Sequence, residues 1–170
     1  IEMVMAQGFK KTKSLVEGKL SSGNVTGYSA AGTVLQVGRG ITDLRIGDRV
    51  ACAGAQCAHH AEVISVPRNL TVPIPEGVSF AHASTVTLGA IAMQGLRRAA
   101  PTLGETFVVI GLGFLGQLTT QFLKLNGCHV VGIDLDVNRT DLAEELGMDI
   151  GFNRTDVEEI GRLTHGVGAD

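Results

Sequence analysis

The sequence predicts an α/β chain in two parts, a small all-β unit followed by the first half of a doubly wound parallel sheet. Three observations predict it. Between Tyr28 and about Phe80, short β-like runs are cut by turn residues. From about Phe80 the hydrophobic period changes, and strand-like and helix-like stretches alternate strictly. Where the first of those strands ends, "TFVVIGLGFLGQ" (Thr106 to Gln117) breaks into glycines and resumes with helical spacing.

In chain order, residues 1–20 are rich in Lys and Glu and suit a helix broken near Gly8, and "SSGNVTG" (Ser21 to Gly27) is a loop by composition. "GTVLQVG" alternates loosely, "IGDRVACA" places a Gly47-Asp48 turn before Val50, and "AEVISVP" alternates until Pro67 stops it. Pro73 and Pro75 forbid a central strand over "TVPIPEGVS" and suggest an extended crossing segment. Phe80 to Ala100 carries small and apolar residues at helical spacing, ended by Pro101 and Gly104. Phe107 to Ile110 is predicted as a strand buried on both faces. Leu115, Leu118, Phe122 and Leu125 form a helical stripe with Gly127 as its stop. "HVVGID" reads as a second strand, "VNRTDLAEELG" as a second helix ending at Gly147, and "DIGF" as a weak third strand. Thr155 and Glu158 make a capping box for a third helix. The expected division is residues 1–26, an N-terminal helical and loop segment; 27–80, the β-unit; and 81–170, the α/β unit.

With 23 glycines in 170 residues, a G-x-G-x-x-G pattern arises by chance roughly 0.4 times, so its surroundings must decide. A buried strand enters the glycines, an apolar helix leaves them, and a second strand ends in Asp134, 18 residues past Gly116. Gly111 permits the tight turn, Gly113 lets a pyrophosphate approach the backbone, and Gly116 lets the helix pack closely on the sheet. The N–H groups around Phe114 and Leu115 would face the phosphates, aided by the helix dipole. Asp134 can accept hydrogen bonds from both adenosine ribose hydroxyls, and its charge would repel a 2′-phosphate. NAD is therefore expected over NADP, with nearby Arg139 as the feature that would serve NADP or the ribose edge.

Composition narrows the class. A hydrophobic content of 44%, 18% charged residues and a net charge of −3 describe a folding chain with no basic stripe for nucleic acid. The longest nearly apolar run, Phe107 to Gly116, is too short to span a bilayer, and the N-terminus carries no secretion signal. Three irregularly spaced cysteines fit reduced thiols in a cytoplasm. The first residue is Ile and the last are "GVGAD", so a fragment of a longer protein is expected.

Almost the whole text resembles the medium-chain dehydrogenase/reductase superfamily, the zinc-alcohol-dehydrogenase-like proteins. The resemblance is carried in order by "GYSAAGTVLQVG", "LRIGDRVA", "HAEVISVP", "VPIPEGVSFAHAS", "TFVVIGLGFLGQLTTQFLKLNGCHVVGIDLD" and "ELGMD". It implies a partial GroES-like β-domain, then a truncated Rossmann domain, with an alcohol or carbonyl substrate bound in a cleft between them. More narrowly, "GYSAAG", "RVACAG" and "TLGAIAMQGLRRA" resemble a subgroup fused to a second, Gfo/Idh/MocA-type dehydrogenase and linked to sugar metabolism. A fused dehydrogenase is then a candidate partner, and the full-length protein a candidate oligomer. The sheet's fourth strand is missing, so residues 1–170 alone are expected to bind NAD weakly and to be inactive.

The same resemblance argues against zinc. Where the family places Gly-His-Glu this chain has Gly27-Tyr28-Ser29, no cysteine precedes it, and the third ligand position falls on Thr87, with Ile91 in place of the following Thr. Cys52, Cys57, His59 and His60 lie close in sequence but at no standard zinc spacing. Without metal a side chain must handle the proton. Tyr28, in the ligand-histidine position, is the candidate, against a tyrosine merely packed at a strand edge; His59 and His60 are weaker ones. Cys128 and the four methionines read as core filling, and His82, His129 and His165 as surface or capping residues. The expected function is NAD-dependent, zinc-independent hydride transfer. The rivals are a non-catalytic dinucleotide-binding module serving a partner dehydrogenase, and a zinc-dependent alcohol dehydrogenase.

Overall fold

A computed structural model describes residues 25–154 and 157–170. Most of the predicted N-terminal segment, Met3 and Met5, and Thr155 of the capping box lie outside the described residues. The chain divides into two units that meet between Ser84 and Thr85. Among the described residues no helix is long and apolar enough to cross a membrane.

The first unit is a three-stranded antiparallel sheet, β1 (Ser29–Thr33), β2 (Arg49–Ala53) and β3 (Thr71–Pro73), in that spatial order. Ala31 faces Ala51, and Val50 faces Pro73. Pro73 is accommodated because β3 is an edge strand, where a missing N–H breaks no ladder. The Gly47-Asp48 turn forms as expected, with Gly47 at φ 96° and the Arg45 N–H donating to Asp48 Oδ2 at 2.7 Å. Val50 and Cys52 of β2 pack with Ala58, and Ala30, Val34, Leu44, Ile64 and Val66 close over them. "AEVISVP" keeps its alternation, with Ile64 and Val66 on this core and Val63 and Ser65 exposed, and it pairs with no strand among the described residues.

The helix predicted over Phe80 to Ala100 is two helices, α1 (Phe80–Ala83) and α2 (Val86–Ala99). The break falls at Ser84, whose hydroxyl donates to the Ala81 carbonyl at 2.8 Å, an alternative to helix continuation that serine readily takes. Ser79 caps α1 by accepting the His82 N–H. The C-cap of α2 is Ala100, a non-glycine residue in the left-handed region (φ 50°, ψ 50°). Ala100→Gly is expected to stabilise the chain by about 1 kcal/mol, raising Tm by about 2–4 °C in a thermal melt. An unchanged or lower Tm would contradict that.

In the second unit β4 (Thr106–Ile110), β5 (His129–Ile133) and β6 (Ile150–Phe152) form a parallel sheet in that order. Between and after them run α3 (Phe114–Leu125), α4 (Val137–Glu145) and α5 (Val157–Leu163). Strand β5 is the buried one. β4, expected to be covered on both faces, is half-buried and pairs with β5 alone among the described residues, with Ile110 77% exposed. The core gathers Leu112, Leu123, Cys128, Val130, Ala143 and Met148, whereas Met93 is exposed rather than core.

Helices α3 and α4 stop alike. The Gly127 N–H (φ 81°) donates to the Lys124 carbonyl and the Cys128 N–H to that of Leu123, while Gly147 and Met148 repeat the pattern onto Glu144 and Ala143. These are Schellman closures, each sealed by an apolar pair in the core. His165, at φ 53°, ends α5 in the same way, in keeping with a capping role.

Candidate functional site

The ends of β4 and β5 bring the predicted cofactor residues together. Gly111 turns the chain at φ 89° while its N–H still donates to the Ile133 carbonyl at 2.7 Å. Leu112 then plugs the core, and Gly113, extended at φ −67°, is the N-cap of α3. No side chain caps this helix and its first turn holds no acid. The first intrahelical bond runs from the Gln117 N–H to the Gly113 carbonyl, so the N–H groups of Phe114, Leu115 and Gly116 have no acceptor within the helix. By contrast Asp136 caps α4, accepting the Asn138 N–H at 3.1 Å.

The three glycines are needed for different reasons. A Cβ at Gly116 would lie 2.0 Å from the Gly111 carbonyl oxygen, so glycine there lets α3 sit directly on the turn. Gly111 supplies the positive φ. At Gly113 neither reason holds, because φ is ordinary and a Cβ would meet nothing within 4 Å.

Asp134 follows β5, its side chain 9% exposed. Its carboxylate accepts the Leu112 N–H at 2.7 Å and the Asp136 N–H at 3.0 Å, and Arg139 Nη1 approaches to 3.5 Å. The Asp136 and Leu112 amides hold its pKa below the usual carboxylate range against the opposing effect of burial, and Arg139 adds to the lowering. Asp134 therefore clamps the glycine turn from within, a task its position in the sequence did not reveal.

Close packing at Gly116 also rotates α3 away from the expected stripe. The buried face is Gly116, Gln117, Thr120 and Leu123, while Leu115 and Leu125 are exposed. Gln117 Nε2 donates to the carbonyls of Leu112 (3.1 Å) and Arg139 (2.8 Å). Sequence reasoning missed this residue. Its signal was an amide directly after the last glycine of the motif.

In the first unit Tyr28 precedes β1, 40% exposed, with its carbonyl accepting the Gly54 N–H at 2.9 Å. The His60 ring occupies the space beside Gly27, where a Cβ would fall 2.3 Å from it. His59 Nδ1 is buried without a hydrogen-bond partner among the described residues. Cys52 points into the core toward Thr71 Oγ1 at 3.9 Å, with burial pushing its thiol pKa up, and Cys57 rests on the Ala53 and Gly54 carbonyls. Among the described residues no three His, Cys, Asp or Glu side chains gather as metal ligands.

Comparison with known proteins bears on both units. The family model for the alcohol dehydrogenase GroES-like domain matches residues 4–76, and that for the zinc-binding dehydrogenase matches residues 115–170. The chain is 34% identical over 127 residues to a D-guloside 3-dehydrogenase of Shigella flexneri, covering 74% of this chain and 35% of that one. It is 27% identical over 150 residues to an alcohol dehydrogenase of Geobacillus stearothermophilus, covering 72% and 44%. The fold is similar to an Escherichia coli quinone oxidoreductase solved with NADPH, at a TM-score of 0.71 and 25% identity over 82% of this chain and 45% of that one. The chain spans less than half the length of each of these relatives.

Proposed function

This chain belongs to the medium-chain dehydrogenase/reductase superfamily, and from that membership we propose that it is the cofactor-holding part of an NAD-dependent oxidoreductase. Its substrate would be an alcohol or carbonyl compound. The observation that carries the reading is Gly113. Neither backbone conformation nor packing calls for glycine there, and it heads a helix whose first amides lack acceptors among the described residues, which leaves room for an anionic group from outside the chain. Phe114 and Leu115 N–H groups would take the pyrophosphate, and Asp134 with Arg139 the adenosine ribose. When bound, the nicotinamide supplies the acceptor or donor of hydride.

An ionised carboxylate at the ribose end favours NAD over NADP, since a 2′-phosphate would meet like charge. The NADPH of the quinone oxidoreductase is a property of that protein, and Arg139 is the residue through which this chain would accept it. Similarity to a D-guloside 3-dehydrogenase supports a sugar derivative as substrate and agrees with the narrower resemblance drawn from the sequence. Because the sequence carries none of the family's zinc ligands where the resemblance would place them, proton handling would fall to a side chain, for which Tyr28 is the candidate. Calorimetric titration with the two cofactors tests the reading: NAD is expected to bind at least about tenfold tighter than NADP. Because this chain alone is expected to bind weakly, the titration is carried to about 1 mM, and binding of neither dinucleotide there would remove the cofactor and the oxidoreductase reading with it.

A further inference from the structure

We infer that Gln117 is a positioning residue that aims the phosphate-facing backbone of the glycine turn. The inference rests on the dinucleotide reading above and concerns a residue that would touch no part of the cofactor. Gln117 is 9% exposed, and its amide nitrogen donates to two backbone carbonyls, Leu112 at 3.1 Å and Arg139 at 2.8 Å. Its Oε1 is buried and accepts from nothing among the described residues. A leucine or methionine would avoid the orphaned Oε1 but would leave the buried Leu112 carbonyl without its side-chain donor. The distinctive contribution of glutamine is the pair of donated bonds.

Those bonds act through a rigid unit. The Leu112 carbonyl and the Gly113 N–H belong to one planar trans peptide and point in opposite directions. Drawing the carbonyl inward onto Gln117 turns the Gly113 N–H outward, and that N–H donates to no acceptor among the described residues. The other edge of Leu112 is fixed as well, because its N–H donates to Asp134 at 2.7 Å. Leu112 is thus gripped at both its amide and its carbonyl, while its side chain sits in the core beside Gly132. The second bond, to the Arg139 carbonyl, ties this turn to the start of α4, which carries the side chain proposed for the ribose edge.

The test uses the 170-residue chain with Gln117→Leu and Gln117→Glu. In Gln117→Leu, NAD affinity is expected to fall about tenfold, and amide exchange at Leu112 and Gly113 to quicken about tenfold, with β2 amides unchanged. A purely structural role would lower Tm and leave affinity alone. Gln117→Glu turns a carboxylate onto two carbonyls at about pH 8, but as the neutral acid it can donate one bond again, so its affinity relative to the unsubstituted chain should recover toward about pH 5. Unchanged affinity and exchange in Gln117→Leu overturn the inference. If that variant does not fold, a pH-independent affinity ratio for Gln117→Glu overturns it instead. If the unsubstituted chain binds neither dinucleotide, the cofactor reading is what fails, and exchange at Leu112 and Gly113 still decides whether Gln117 holds the turn.

Discussion

Gly113→Ala is expected to abolish measurable NAD binding while leaving the fold intact, whereas Gly116→Ala should damage both. The two glycines are three residues apart in one motif, but they are needed by different neighbours. At Gly113 an added Cβ meets no protein atom within 4 Å and the backbone is already in a region alanine adopts, so Tm should stay within about 2 °C of the unsubstituted chain. The methyl group would then stand where a phosphate must approach, and losing that approach should weaken binding by about a hundredfold. At Gly116 the methyl would sit 2.0 Å from the Gly111 carbonyl oxygen, a backbone atom that cannot swing away. The resulting overpacking costs about 3 kcal/mol, against about 1 kcal/mol gained from alanine's better helix propensity. A net loss of about 2 kcal/mol corresponds to a fall in Tm of about 4–8 °C. Calorimetry and thermal melts on both variants check this. A Gly113→Ala chain that binds NAD normally would show that the open space beside Gly113 holds no ligand.

The contrast between these glycines also explains what was legible in the sequence. Secondary structure in the second unit follows local chemistry, and the text revealed it: the strand before Gly111, the stops at Gly127 and Gly147, the strand ending at Asp134. Burial is not local. Leu115, Leu118, Phe122 and Leu125 form a sound apolar stripe, yet α3 turns Gly116, Gln117, Thr120 and Leu123 to the core, because Gly116 must reach the Gly111 carbonyl. That constraint outranks the burial of leucine at position 125. The glycines and Asp134 stood out in the text because a dinucleotide motif would need each at a fixed place in the pattern. Gln117 was missed because its partners are the carbonyls of Leu112 and Arg139, and a backbone carbonyl leaves no mark in the text.

Asp134→Ala should lower NAD affinity by at least about tenfold and narrow the preference over NADP, since removing the carboxylate removes both the ribose acceptor and the repulsion of a 2′-phosphate. The structure adds a second expectation. The same carboxylate accepts the Leu112 and Asp136 N–H groups, so the variant should also lose order in the glycine turn, seen as faster amide exchange at Leu112. Asp134→Asn separates the two roles. It keeps an acceptor for one amide but removes the charge, so NADP should gain on NAD with less loosening of the turn. Acid titration provides an independent check. Because the folded pKa of Asp134 is depressed, its contribution is complete above the unfolded carboxylate value of about 4 and is lost only as pH falls through the lower, folded value. NAD binding by the unsubstituted chain should therefore hold from neutrality down to about pH 4 and be lost only in more acidic solution, while the residual binding of Asp134→Asn should lack that acid limb. Equal NAD and NADP affinities in the unsubstituted chain, unmoved by either substitution, would mean that Asp134 only braces the turn and that cofactor choice is made elsewhere.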